Sequence, residues 1–186
     1  MNIPTKITIL RIVMIPVFIL LWYLPILGEM TFLSLKSLVL TAFFIFLSLT
    51  DWLDGYIARK YNLITDLGKF LDPIADKILV FSVYFLLLNQ QVIDPISLII
   101  MMSREFIVSA IRMVAASTGV IIAADWSGKV KTVVQMVSII TLLLMFQSTS
   151  NAASTIVYGI YWLSVILTAL SGIQYTVNYL QEKRKI

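Results

Sequence analysis

The stretch DWLDGYIARKYNLITDLGKFLDPIAD, residues 51–76, lies between two long apolar runs and holds five of the ten acidic residues of the chain. Asp51 and Asp54 are three apart, and Asp72 and Asp76 are four apart. On helices, each pair projects from one face. The first pair ends one apolar run and the second opens the next, so the two faces can meet across a helix–helix contact. Gly55 and Gly68 lie beside the pairs, where small residues let membrane helices approach closely.

Carboxylates gathered near an apolar phase need a counter-charge, since an Asp at the centre of a span costs about 2.5–3.5 kcal/mol on insertion scales. Arg59 and Lys69 supply part of it. The all-oxygen, paired arrangement also suits two hard divalent ions, Mg²⁺ or Mn²⁺, with Asp51, Asp54, Asp72 and Asp76 as ligands. Two such ions would balance four carboxylates and keep positions open for phosphate oxygens, the logic of a two-metal phosphoryl-transfer site. Any one of these acids is explained as an interfacial charge paired with Arg59, Lys60, Lys69 or Lys77. The full set, in two same-face pairs each beside a glycine, is not.

The rest of the chain says what surrounds this segment. Of 186 residues, 60% are hydrophobic and only 13% charged, with a mean hydropathy of +0.95; a soluble domain carries about a quarter charged residues. Lipid is the expected solvent. No Cys and no His occur, which excludes disulfides, Cys-ligated zinc, haem ligation and histidine acid–base or phosphoryl-carrier chemistry. Carboxylates, Lys, Arg, hydroxyls and hard metals remain.

Six apolar spans are expected, roughly over 7–27, 35–50 with a helical extension, 70–89, 95–117, 131–146 and 154–180. Each approaches the twenty or so residues that cross a hydrocarbon core of about 30 Å. The fold class is all-α, an integral membrane bundle of six transmembrane helices in a single domain over 1–186. No small-residue cleavage site follows the first span, whose Pro16 and Pro25 and long apolar body read as a retained segment. Lys6, Arg59, Lys60, Lys129, Lys131, Lys183, Arg184 and Lys185 fall on one side; Glu29, Asp94 and an uncharged QSTSNAA loop fall on the other, with Lys36 its only cation. The basic side is expected to be cytoplasmic, with both termini and the acidic cluster there, in the cell membrane. Trp22, Trp52, Trp126 and Trp162 lie near span ends, as an interfacial belt would.

The segment matches D-x2-D-G-x2-A-R-x8-G-x3-D-x3-D at Asp51, Asp54, Gly55, Ala58, Arg59, Gly68, Asp72 and Asp76, and in this it resembles the CDP-alcohol phosphotransferases. Eight fixed residues at fixed spacing make a specific pattern. The resemblance implies a six-helix membrane fold and transfer of a phosphatidyl group from a CDP-linked lipid to an alcohol, with CMP released. It implies two metals on the four aspartates, with Asp76 also the base for the acceptor hydroxyl, and a CDP site lined by Gly55, Ala58, Arg59 and Gly68. Thr65 lies where the family often has a further nucleotide contact. Thr5 and Thr8 are candidates for the same role, and capping of the first helix explains either hydroxyl equally well.

Arg104 and Arg112 are eight apart on one helical face and Lys129 follows. Together they are candidates for a clamp on an acceptor phosphate, for which the guanidinium fork is well shaped. Glu105 is placed to pair with Arg112 or Lys129 and consume part of this charge, and Arg11, in the first span, reads as able to snorkel to the boundary. A clamp favours an acceptor that already bears phosphate. The opening NIPTKITILRIVMIPVF and the stretches SREFIVSAIRMVAAS and GKVKT resemble the bacterial phosphatidylglycerophosphate synthase branch, which implies CDP-diacylglycerol as donor and glycerol 3-phosphate as acceptor. Inositol phosphate, serine or phosphatidylglycerol are the alternative acceptors. A cation transporter is the alternative of another class, disfavoured because the acids cluster at one face instead of forming a chain across the bilayer. Ala169, Ser171 and Gly172 mark helix packing or a homodimer contact.

Overall fold

The computed structural model describes residues 2–61, 66–117, 126–146 and 150–183, with backbone alone at 3, 59, 66, 67, 69, 70, 116 and 117. The described residues form six α-helices and a short 3₁₀ turn (Pro25–Leu27), with no strand: α1 Ile3–Tyr23, α2 Leu35–Lys60, α3 Asp66–Asn89, α4 Pro95–Ser117, α5 Trp126–Leu144 and α6 Asn151–Lys183. Four segments, Pro4–Tyr23, Leu35–Ala58, Trp126–Leu144 and Asn151–Lys183, are long and apolar enough to cross a membrane. Helices α3 and α4, of 24 and 23 residues, have the length, about 35 Å at 1.5 Å per residue. They carry Asp72, Asp76 and Lys77, and Arg104, Glu105 and Arg112, within it. Large apolar side chains stand exposed around the helices, among them Leu20, Ile99 and Ile173, each more than 60% accessible. A surface so broadly apolar belongs to a chain solvated by lipid.

Helix ends follow local chemistry more closely than the apolar runs do. The first helix begins at Ile3, four residues before the expected start, because Pro4 is compatible with a first turn whose N–H groups have no partner. It stops at Tyr23, where Leu24 turns extended ahead of Pro25. The expected extension of the second span is helical through Lys60. Helix α5 starts at Trp126 and not near Lys131, so Lys129 and Lys131 both lie inside it.

The chain divides into two compact units, Met1–Leu87 with Ile140–Asn151, and Leu88–Ile139 with Ala152–Ile186. In the first, three contacts in register make α1 and α2 an antiparallel hairpin. Lys36 Nζ donates to the Leu24 carbonyl at 3.2 Å, Phe18 stacks on Phe43 at 6.1 Å, and Arg11 meets Asp51 and Asp54. Ser34 caps α2 by accepting from Ser37 N–H at 3.2 Å. Lys36, expected as a loop cation, is buried and places its charge at the C-terminal end of α1, where the helix dipole favours it. The end of α5 closes this unit: Leu33 N–H donates to the Leu144 carbonyl at 3.1 Å, and Trp22 meets Phe146 edge-on at 6.2 Å.

In the second unit, the Ser97 hydroxyl bonds Tyr161, the Arg104 stem lies against Gly172, and the Arg112 guanidinium covers the Tyr175 ring at 5.3 Å. Residue numbers rise together along both helices, so α4 and α6 run in the same direction. Asp94 caps α4, its Oδ1 accepting from Ser97 N–H at 2.9 Å.

Candidate active site

The first unit gathers its acids at the N-terminal end of α1. Thr8 and Arg11, three apart, share a face of that helix. The Thr8 hydroxyl is 2.6 Å from Asp72 Oδ1 and 3.1 Å from the Pro4 carbonyl. Arg11 forks between the acids of α2: Nη1 lies 2.5 Å from Asp51 Oδ1 and Nη2 2.5 Å from Asp54 Oδ2. Arg11 is 1% exposed and Asp54 2%, while the Asp51 carboxylate keeps 38% of its surface. Asp76 follows Asp72 by one turn of α3, half-buried.

Arg11 therefore does not snorkel. A guanidinium can hold two carboxylates at once through its planar fork, which an ammonium cannot match, and this draws it inward instead of toward the boundary. Thr5 and Thr8 are both buried, and neither caps α1, whose N-cap is Asn2. Gly55 and Ala58 are half-buried on α2, and Gly68 is buried in the first turn of α3. Thr65 and the side chains of Arg59 and Lys69 lie outside the described residues.

One guanidinium facing Asp51 and Asp54, with Asp72 held by Thr8, leaves negative charge in excess among these four described charges. The donors are carboxylate oxygens with a hydroxyl, the chemistry that Mg²⁺ and Mn²⁺ prefer over softer metals, so the residues suit such ions in kind. With Arg11 between Asp51 and Asp54, no three acidic side chains among the described residues stand close enough to hold one ion.

The second unit carries the opposite imbalance. Glu105 Oε1 accepts from Arg104 Nη1 at 2.9 Å and also from Lys131 Nζ. Its partners are thus Arg104 and Lys131, where Arg112 and Lys129 were expected. Lys131 is 4% exposed, well inside the unit and not a flanking topological charge; four residues on, the buried Gln135 shares its face. Sequence reading passed over Lys131 because it treated the residue as the edge of the span. Arg104 Nε and Gln135 Nε2 are buried donors with no partner among the described residues. Arg112 lies on Tyr175, and Lys129 is exposed with Nζ 5.8 Å from the Trp126 ring. Gly172, a candidate for packing or for a dimer contact, packs on Arg104 of its own chain.

A family model described as CDP-alcohol phosphatidyltransferase matches residues 1–170. A CDP-diacylglycerol–glycerol-3-phosphate 3-phosphatidyltransferase of Bacillus subtilis is 37% identical over 180 residues, covering 94% of this chain and 93% of its own. Proteins of the same name from Rickettsia typhi and Haemophilus influenzae are each 39% identical, covering 94% of this chain and 94% and 91% of their own.

Proposed function

The chain belongs to the CDP-alcohol phosphatidyltransferases, and from that premise we propose that it transfers the phosphatidyl group of CDP-diacylglycerol to glycerol 3-phosphate, giving phosphatidylglycerol phosphate and CMP. The observation that carries this reading is the gathering of Asp51, Asp54 and Asp72 around Thr8 and Arg11 in a multi-pass membrane chain whose relatives of nearly equal length bear that name.

In the reaction, the acceptor hydroxyl oxygen bonds to the lipid-side phosphorus, the bond from that phosphorus to the CMP oxygen breaks, and the hydroxyl proton passes to a base. Asp76 takes that proton, since an alcohol is a poor nucleophile until a placed group removes it. Two divalent ions held by Asp51, Asp54, Asp72 and Asp76 would neutralise the pyrophosphate charge that grows as CMP leaves. Thr8 orients Asp72 by its hydrogen bond, and Arg11 keeps Asp51 and Asp54 side by side. Gly55, Ala58, Arg59, Gly68, Thr5 and Thr65 line the CDP group. Arg104, Arg112 and Lys129 bind the acceptor phosphate; the cations around Glu105 support this for Arg104. A cytoplasmic position for the acids, in the cell membrane, is supported by the basic residues on their side of the sequence, Lys6, Arg59, Lys60 and Lys183 among them.

The test is CMP release by purified protein in detergent with CDP-diacylglycerol, glycerol 3-phosphate and Mg²⁺ or Mn²⁺. Turnover should stop with a chelator and return with either ion. No CMP release under any metal would overturn the activity. Preference for inositol phosphate, serine or phosphatidylglycerol in direct competition would overturn the acceptor alone.

A further inference from the structure

The geometry points to Gly172 as a positioning residue for acceptor binding, acting through Arg104. The inference rests on the reading of Arg104 as a ligand of the acceptor phosphate. A Cβ built at Gly172 would stand 2.5 Å from Arg104 Cγ, 3.5 Å from its Cβ and 3.7 Å from its Cδ. These atoms form the root of the side chain, which cannot swing clear as a guanidinium tip can. Any side chain at 172 must therefore turn Arg104 to another rotamer or push α6 from α4. Gly172 lies on the buried face of α6 with Ser164, Thr168, Ser171 and Tyr175, so no lipid-facing route relieves the clash.

What the glycine protects is a defined pose. Arginine has several freely rotating bonds and loses much rotamer entropy when ordered. Here its stem is laid along Gly172, and Nη1 is tied 2.9 Å from Glu105 Oε1, which Lys131 anchors from α5. Nε is left as a buried donor with no partner among the described residues. A buried donor without an acceptor is unfavourable, and an anionic oxygen on a ligand would relieve it. Three helices of one unit thus fix one guanidinium, with Gly172 supplying the space on the α6 side.

The experiment is a double-mutant cycle on the full chain in detergent, read as CMP release with glycerol 3-phosphate and CDP-diacylglycerol each varied. Gly172→Ala should raise the KM for glycerol 3-phosphate ~10-fold or more, because displacement of a binding group by about 1 Å is severely felt. The KM for CDP-diacylglycerol and kcat at saturating acceptor should stay within about twofold, since those interactions are not displaced. Arg104→Ala removes Cγ, the atom that clashes, so adding Gly172→Ala to it should change neither the acceptor KM nor the thermal midpoint further. Should Gly172→Ala alone not fold, recovery of folded protein in the Arg104→Ala background would support the contact, and equal loss in both backgrounds would overturn it. An unchanged acceptor KM in Gly172→Ala, where Arg104→Ala raises it, sinks the inference and leaves the Arg104 reading standing. An unchanged acceptor KM in Arg104→Ala sinks both.

Discussion

The two units of this chain hide charge in apolar surroundings in opposite senses. In the first, one arginine stands among aspartates, Arg11 with Asp51 and Asp54 and with Asp72 beside it on Thr8. In the second, one glutamate stands between cations, Glu105 with Arg104 and Lys131. Counted over these described side chains, the first cluster carries more negative than positive charge and the second the reverse. A buried site left with net charge attracts a ligand of the other sign, since ion pairing is what makes burial of charge tolerable. In kind, the first cluster suits a cation and the second an anion.

The largest expected effect tests the negative cluster. Asp76→Asn should lower CMP release by about 10²–10⁴-fold, the usual worth of a general base. Binding of CDP-diacylglycerol, followed by titration in nanodiscs, should persist in weakened form. Loss of turnover and binding together would make Asp76 a metal holder and not the base.

Arg11→Ala comes next. Truncating one member of a buried ion pair costs about 3–5 kcal/mol, because the remaining charge stays behind uncompensated, and Arg11 and Asp54 are both almost wholly buried. The denaturation midpoint in detergent should fall accordingly. Mg²⁺ or Mn²⁺ should raise it more in the variant than in the parent chain, since ions that bind the folded state stabilise it and here meet no competing guanidinium. An equal metal response in both would separate Arg11 from the ion site. The matching substitution in the second unit, Lys131→Ala, should cost less, because Glu105 keeps Arg104 as a partner.

These contrasts also mark what could be read from residues alone. The acidic segment was legible because its chemistry is periodic: pairs at three and four residues, each next to a glycine, between apolar runs. Arg11 was not, because a single cation in a span reads equally as a snorkelling side chain, and only a partner 40 residues away in sequence decides between the two. Glu105 reads as able to pair with Arg112 or Lys129, but which cation of α5 meets α4 is decided by helix packing that residue order does not encode; Lys131 is that partner. Six helices were legible from the apolar runs, of which four, α1, α2, α5 and α6, are long and apolar enough to cross a membrane. The ends of α1 at Ile3 and Tyr23 follow Pro4 and Pro25, to which hydropathy is blind.

The smallest effect compares two helix caps, one in each unit. Ser34 accepts from Ser37 N–H at 3.2 Å, and Asp94 from Ser97 N–H at 2.9 Å. Replacing either by Ala should cost about 1 kcal/mol at neutral pH. Only the second cost should depend on pH. The Ser97 N–H holds the Asp94 carboxyl below its ordinary value of 3.8, so the folded chain binds this proton less readily than the unfolded one. The stabilisation is then complete above the ordinary carboxylate range and fades as pH falls through the lowered folded value. Thermal midpoints of Asp94→Ala and the parent chain should therefore converge on acidification, while the gap for Ser34→Ala stays constant. A gap for Asp94→Ala that ignores pH would mean that its charge plays no part at the start of α4, and that the cap works there as a neutral acceptor does at α2.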